Sequence, residues 1–286
     1  MQTVTQISQV RTEVANARKS GQSIGFVPTM GALHAGHISL IETAARDCDF
    51  VVVSVFVNPT QFGANEDLEK YPRNLERDVE ICAKAGANLV FAPAINEMYP
   101  EQNLTWVDVD KITTRLCGQY RPDHFRGVTT VCAKLFNIVT PDIAYFGQKD
   151  AQQSVVIKKM VADLNMPLKI EVCPTVREVS GLAISSRNQY LTEEEKQDAK
   201  LIYAALKKCS QLAKQGEQNC EILIKEMKIV LAASSKLMPQ YIKIVNPKTL
   251  ADLETLIDGA IAAIAAIAAK PGKTRLIDNI IISTPT

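Results

Sequence analysis

The sequence predicts an α/β fold in which a doubly wound parallel sheet is followed by a second, smaller α+β domain. Three observations carry this. Strand-like and helix-like patterns alternate over the first 175 residues, residues 50–57 (FVVVSVFV) form an uncharged run dominated by β-branched side chains, and the texture changes after about Val176. A run with no polar face marks a strand covered on both sides, hence a parallel sheet, and alternation with helices gives the doubly wound arrangement. The expected domains are 1–175 and 176–286.

In chain order, residues 23–27 read as a buried strand with Pro28 at its exit, and Ile38, Leu40, Ile41, Ala44 and Ala45 give one helical face after a glycine-containing loop. The strand at 50–57 follows. Leu75, Val79 and Cys82 recur at helical spacing, with Gly86 placed to end that helix. Residues 89–92, 143–146 and 168–172 supply short strands, with helical patterns at 128–139 and 151–164. Beyond Val176, Thr192 and Glu195 form a capping box before a charged helix to about Lys214. A helix is expected over 220–236 and a strand over 241–245. Residues 259–269 remain open: IAAIAAIAA has a period near three, which favours helix, whereas the bounding Gly259 and Pro271 suit a strand.

The 286 residues are 47% hydrophobic, with 32 Lys and Arg against 31 Asp and Glu. That balance creates no field to steer the protein toward nucleic acid or an anionic membrane. The cysteines (48, 82, 117, 132, 173, 209 and 220) include no CxxC pair and read as buried thiols in a reducing compartment. Residues 1–20 lack the apolar stretch of a signal peptide, and the 259–269 run is too short to span a bilayer, so a cytoplasmic location is expected.

The strongest local signal is Pro28-Thr-Met-Gly-Ala-Leu-His34-Ala-Gly-His37, between the first strand and the first helix. Loops at the carboxyl edge of such a sheet bind ligands, and the helix N-terminus behind them favours phosphate. His34 and His37 are two of only three histidines in the chain. They share a face in the first helical turn. Gly36 would let a nucleotide lie against the backbone. A plain helix cap with solvated histidines is the competing reading; zinc is disfavoured because no third ligand has metal-site spacing. Downstream, Ser185-Ser186-Arg187-Asn188 offers two hydroxyls and a guanidinium suited to a triphosphate, or alternatively an ordinary helix cap beside a surface arginine.

HxGH followed by such a cationic loop resembles the signature of Rossmann-like nucleotidyltransferases and class I aminoacyl-tRNA synthetases. The likeness then narrows. PTMGALHAGH (28–37), VNPTQF (57–62), YPR (71–73), RPDHFRG (121–127), FGQKDAQQ (146–153), PTVRE (174–178), GLAISSRN (181–188) and GKTRLIDN (272–279) occur in order. Together they span nearly the whole chain, and the chain is identified as resembling the pantothenate synthetase family, the pantoate–β-alanine ligases. The resemblance implies ATP-dependent condensation of (R)-pantoate with β-alanine through a pantoyl adenylate, releasing AMP and pyrophosphate.

It also implies roles for particular residues. Met30, Gly31, Ala32, Leu33, His34, Ala35, Gly36 and His37 would hold ATP, together with Gly147, Gln148, Lys149, Asp150, Val176, Ile184, Ser185, Ser186 and Arg187. His37 would be the proton donor, acting with His34, Lys149 and Arg187. Gln61 and Gln153 would bind pantoate, with Gln61 also at the β-alanine position, and Asn58, Tyr71, His124 and Arg126 would line neighbouring positions. Asp78 would contact Mg²⁺. The smaller domain would close over ATP, and the protein would be a homodimer. One departure is visible, since the family usually has Met where Ile184 stands; both are apolar, so adenine packing should survive.

The chemistry agrees with these assignments. Carboxylate is a poor electrophile until an oxygen is placed on the α-phosphate of ATP, and the charge then building on phosphorus and on departing pyrophosphate must be met by donors and cations. Gln61 and Gln153 can donate and accept at once, which suits a hydroxy acid. Residues 63–71 (GANEDLEKY) would be either a lid over the nucleotide or a surface loop. Three other functions compete. A nucleotidyltransferase would share HxGH and SSRN but have no use for paired glutamines and FGQKD. An RNA-binding synthetase relative needs a basic surface that this chain lacks. A non-catalytic nucleotide sensor is disfavoured by the two histidines, Lys149 and Arg187.

Overall fold

A computed structural model describes residues 1–64, 66–268 and 274–283. The chain divides into two compact units. The first comprises 1–114, 118–148 and 153–174; the second comprises 175–286 together with 115–117 and 149–152. Two short pieces of the first 175 residues thus group with the second unit.

In chain order the elements are β1 (Gln2–Val4), α1 (Ile7–Lys19), β2 (Ile24–Thr29), α2 (Ala35–Asp47), β3 (Phe50–Val55), α3 (Leu75–Lys84), β4 (Leu89–Phe91), α4 (Ile95–Met98), α5 (His124–Val139), β5 (Ile143–Gly147), α6 (Ala151–Asp163), β6 (Lys169–Cys173), α7 (Glu193–Lys214), α8 (Cys220–Leu231), β7 (Leu237–Val245), β8 (Ala260–Ala268) and β9 (Arg275–Ile282). The first six strands form one parallel sheet in the order β1-β4-β3-β2-β5-β6. From β2 the chain moves outward through β3 and β4, then returns to the other side of β2 with β5. That reversal is the switch point where open α/β sheets bind ligands, outside the carboxyl ends of the strands.

The central strands are apolar for the reason their sequence implies: Val51, Val52 and Val53 are all buried, so both faces of β3 are covered. The strand β2 runs two residues further than expected, through Pro28 to Thr29, opposite Ser54 and Val55 of β3. Pro28 is tolerated because its missing N–H faces β5, whose pairing with β2 stops at Phe26. Four elements escape the sequence reading: β1, α1, α4 and β9. The edge strand β1 is three residues long, and α1 buries Val10, Val14 and Ala17 on one face behind a capping box of Gln6 and Gln9.

In the second unit, α7 and α8 cover an antiparallel sheet in the order β7-β8-β9. Ile202, Leu206 and Cys209 of α7 meet Leu223 and Met227 of α8 in a core shared with Ile242, Ile244 and Ile264. The alanine–isoleucine run is the strand β8, with β7 on one edge and β9 on the other, so central pairing overrides alanine's helical preference. Residue 269 of that run, and residues 272 and 273 of the GKTRLIDN motif, lie outside the described residues. The helix expected over 220–236 ends at Leu231, because Leu237 is already paired with β8.

All seven cysteines are buried and reduced. Burial pushes the thiols of Cys82, Cys132 and Cys209 up to about 12, which makes them inert packing groups.

Candidate active site

The loop joining β2 to α2 leaves the carboxyl end of β2 beside that of β5, which carries Gly147 and Gln148. The two strongest motifs of the first unit therefore share one edge of the sheet. The loop backbone is unusual: Gly31 and Ala32 both have positive φ, +78° and +52°. For alanine this conformation costs about 1 kcal/mol or more. It is held by Asp78 of α3, whose two carboxylate oxygens accept the N–H groups of Ala32 (2.9 Å) and Leu33 (2.8 Å).

That arrangement gives Asp78 a structural part beside the magnesium contact expected for it. The residue is 2% exposed, with both oxygens committed to loop backbone. Among the described residues, no group of three His, Cys, Asp or Glu side chains is placed to hold a metal. Asp78 is thus an anchor of the loop backbone.

His34 is the N-cap of α2 and His37 lies in its first turn. Their rings stand 4.1 Å apart, tilted by 37°. The Nδ1 of His34 accepts the N–H of Gly36 (3.2 Å), and the Nδ1 of His37 accepts that of His34 (3.4 Å). Backbone N–H groups can only donate, so each neutral imidazole carries its proton on Nε2. The helix start is therefore not an open set of backbone donors as expected: Gly36 N–H is capped internally, and the imidazoles carry donors in its place. Gly36 also has a reason unlike the expected one. A Cβ there would lie 3.0 Å from the His34 ring, so the glycine makes room for that histidine.

The VNPTQF segment folds as a short 3₁₀ turn, Pro59–Gln61. Asn58 is 1% exposed and saturated. Its amide donates to Gln61 Oε1 (3.1 Å) and the Gly127 carbonyl (3.2 Å), while its oxygen accepts the hydroxyls of Thr60 (3.0 Å) and Tyr99 (3.0 Å). It thus fixes Gln61 and does not itself line a substrate position. Gln61 also donates to Met30 Sδ (3.0 Å), which joins the glutamine to the head of the histidine loop. Gly127 permits the contact, since a Cβ on it would sit 2.3 Å from the Thr60 carbonyl.

His124 bridges the same turn to the 63–71 segment. Arg121 donates to its Nε2 (3.0 Å), so Nδ1–H donates to the Gln61 carbonyl (2.8 Å). Arg121 also grips Glu66 in a two-pronged pair of 2.6 and 2.5 Å. Burial would push the Glu66 carboxyl up, but the bonds and charge of Arg121 outweigh it and hold it below the usual range. Residue 65 lies outside the described residues. Tyr71 is buried edge-on to Phe62 (6.0 Å), and Arg126 stacks over Trp106 (4.6 Å). Gln153 is half-buried on α6.

The remaining expected residues belong to the second unit. Lys149 and Asp150 lie 3.8 Å apart, nitrogen to oxygen. Val176 and Ile184 face each other across an arch whose strands meet at Arg177 and Ala183, with Ile184 N–H donating to the Val176 carbonyl (3.0 Å). Ser185 then caps the 3₁₀ turn Ser186–Tyr190, its hydroxyl accepting the N–H of Arg187 (3.2 Å). The capping alternative thus holds for Ser185. Sequence reasoning assigns no role to Arg177, which donates to both oxygens of Asp278 (2.5 and 2.9 Å) and to the Gly181 carbonyl (3.1 Å).

A parallel sheet whose switch-point loop runs into a two-histidine helix start defines the class: an α/β enzyme acting on nucleotides. The comparisons give the particular family. The profile described as pantoate-beta-alanine ligase matches residues 2–281. Pantothenate synthetase of Thermoanaerobacter sp. (strain X514) is 54% identical over 275 residues, covering 96% of each chain. That of Moorella thermoacetica is 51% identical over 282 residues, covering 99% of each. The crystal structure of pantothenate synthetase from Thermus thermophilus superposes with a TM-score of 0.93 at 43% identity over the full length of both chains. The pantoate-beta-alanine ligase of Francisella tularensis, solved in complex with an ATP compound and β-alanine, gives a TM-score of 0.80 at 37% identity, covering 98% of this chain and 97% of that one. The chain belongs to the pantoate–β-alanine ligase family. It is a ligase that joins pantoate to β-alanine with ATP.

Proposed function

We propose that the condensation runs through a pantoyl adenylate. A carboxylate oxygen of pantoate attacks the α-phosphorus of ATP, the bond to the β-phosphate oxygen breaks, and pyrophosphate leaves. The amine of β-alanine then attacks the acyl carbon, loses a proton and expels AMP. The observation that carries this reading is the paired imidazole arrangement at the start of α2. With each Nδ1 held by a backbone N–H, the Nε2–H groups are the donors a phosphate can use, and preorganised donors stabilise charge where it develops.

In this reading Met30 to His37 line ATP, with His37 donating a proton as charge builds on the leaving oxygen and His34 beside it. Gly147 and Gln148 of the first unit would serve the same nucleotide. So would Lys149, Asp150, Val176, Ile184, Ser185, Ser186 and Arg187 of the second. Gln61 and Gln153 orient pantoate, and Gln61 also meets β-alanine. Tyr71, His124 and Arg126 flank them, and Asn58 acts by holding Gln61. No step is assigned to a protein-held magnesium; a metal carried by the ATP phosphates needs no carboxylate cage. A homodimer belongs to the same reading and rests on the family resemblance, and a cytoplasmic location belongs to it on the sequence reading of residues 1–20 and 259–269. Among the described residues, no helix is long and apolar enough to cross a membrane.

Pantoate labelled with ¹⁸O in its carboxylate tests the route. Transfer of one label to AMP is expected, and label recovered in inorganic phosphate would replace the adenylate by an acyl phosphate.

A further inference from the structure

The GKTRLIDN motif has no part in the reaction as described so far, yet its last two residues are the most anomalous in the second unit. Asp278 and Asn279 are each 4% exposed, on a strand that after Arg275 is otherwise built from Leu276, Ile277, Ile280, Ile281 and Ile282. Consecutive strand residues point to opposite faces, so the pair sends one polar group to each side of β9. Buried polar groups are costly unless fully used. Both are used, and each ends on a segment assigned to ATP.

We propose that Asp278 and Asn279 are positioning residues for the adenylation step. Asn279 donates from its amide to the Lys149 carbonyl (2.9 Å), fixing the backbone from which that lysine projects. Asp278 takes both terminal nitrogens of Arg177 and also accepts the Asn279 N–H (2.7 Å). Arg177 in turn donates to the Asn279 carbonyl (3.3 Å) and to the Gly181 carbonyl at the tip of the arch. It lies 3.8 Å over the Tyr203 ring of α7, completing a clamp from above. Gly181 sits at φ +91°, where a Cβ would come within 2.5 Å of that ring. One strand of the C-terminal sheet therefore sets both the Lys149 backbone and the 176–184 arch, which leads directly into Ser185, Ser186 and Arg187. The pair reaches the reaction only through these residues.

The inference rests on the reading that Lys149 meets the phosphates, and a double-mutant cycle separates the two. The readout is pantoate-dependent exchange of pyrophosphate into ATP, with the KM for ATP, the KM for pantoate and the melting temperature measured alongside. Lys149→Ala should suppress exchange; if it does not, the reading of Lys149 fails and takes the inference with it. With Lys149→Ala impaired, Asn279→Ala should lower exchange by about ten- to a hundredfold in the native background, the usual range for outer-shell partners. It should leave the KM for pantoate unchanged. In the Lys149→Ala background the same change should cost less than about twofold, because residues acting as a unit are not additive. An equal loss in both backgrounds, or no loss in the native one, overturns the inference. Should Asn279→Ala fail to fold, Asn279→Ser, which keeps a donor too short to reach the carbonyl, runs the same cycle with the same two outcomes.

Discussion

The two segments proposed to meet ATP are both irregular backbone, but they are held by side chains of opposite charge. In the first unit, the Gly31–Leu33 turn presents inward N–H groups, and the carboxylate of Asp78 accepts two of them. In the second, the 176–184 arch presents the Gly181 carbonyl, and the guanidinium of Arg177 donates to it while Asp278 balances its charge. A turn that exposes donors calls for an acceptor with two oxygens, and an arch that exposes an acceptor calls for a donor. Charged residues flanking a nucleotide loop therefore need not face the nucleotide at all.

Removing either clamp tests that contrast. Asp78→Ala strands two buried N–H groups at about 1–3 kcal/mol each, so a loss of roughly 2–6 kcal/mol in unfolding free energy is expected, with a higher KM for ATP. Asp78→Asn keeps one acceptor and should lose about half as much. A variant whose magnesium dependence shifted while its denaturation midpoint stayed put would assign Asp78 to the metal. Arg177→Lys keeps the charge but not the two-pronged grip, and about 1–3 kcal/mol should go, again with weaker ATP binding. Equal stability would mean that the arch holds itself. The smallest effect belongs to Thr192→Ala, which breaks the capping box of α7 for about 1 kcal/mol. It should leave the KM for ATP unchanged, separating loss of stability from loss of the arch.

The parallel sheet is legible in the sequence because its strands are covered on both faces and read as unbroken apolar runs, as at Val51 to Val53. The strand β8 is not, since its spacing of isoleucines fits a helix and only the neighbouring strands decide otherwise. At the site, residue types and order point to the two histidines and Gln61, but spacing along a chain cannot show which N–H a carboxylate will take. Asp78 comes 45 residues after Leu33, and Arg177 is 101 residues from Asp278. In the sequence Asp78 is a magnesium contact only through the family resemblance and Arg177 has no assigned role; their backbone and carboxylate partners become visible only when the fold brings them together. The Asn58 amide misleads for a related reason: it reads as a substrate contact until Tyr99, Thr60 and Gly127 are seen to consume it.

Whether the imidazole pair serves displacement at the α-phosphorus decides the mechanism. The most direct measurement is exchange of labelled pyrophosphate into ATP without β-alanine, comparing the native protein with His37→Ala. Exchange that requires pantoate, and that falls by about 10²–10³ in a variant whose melting is unchanged, is the predicted result. Exchange that His37→Ala leaves intact, or turnover releasing ADP and phosphate in place of AMP and pyrophosphate, would contradict it.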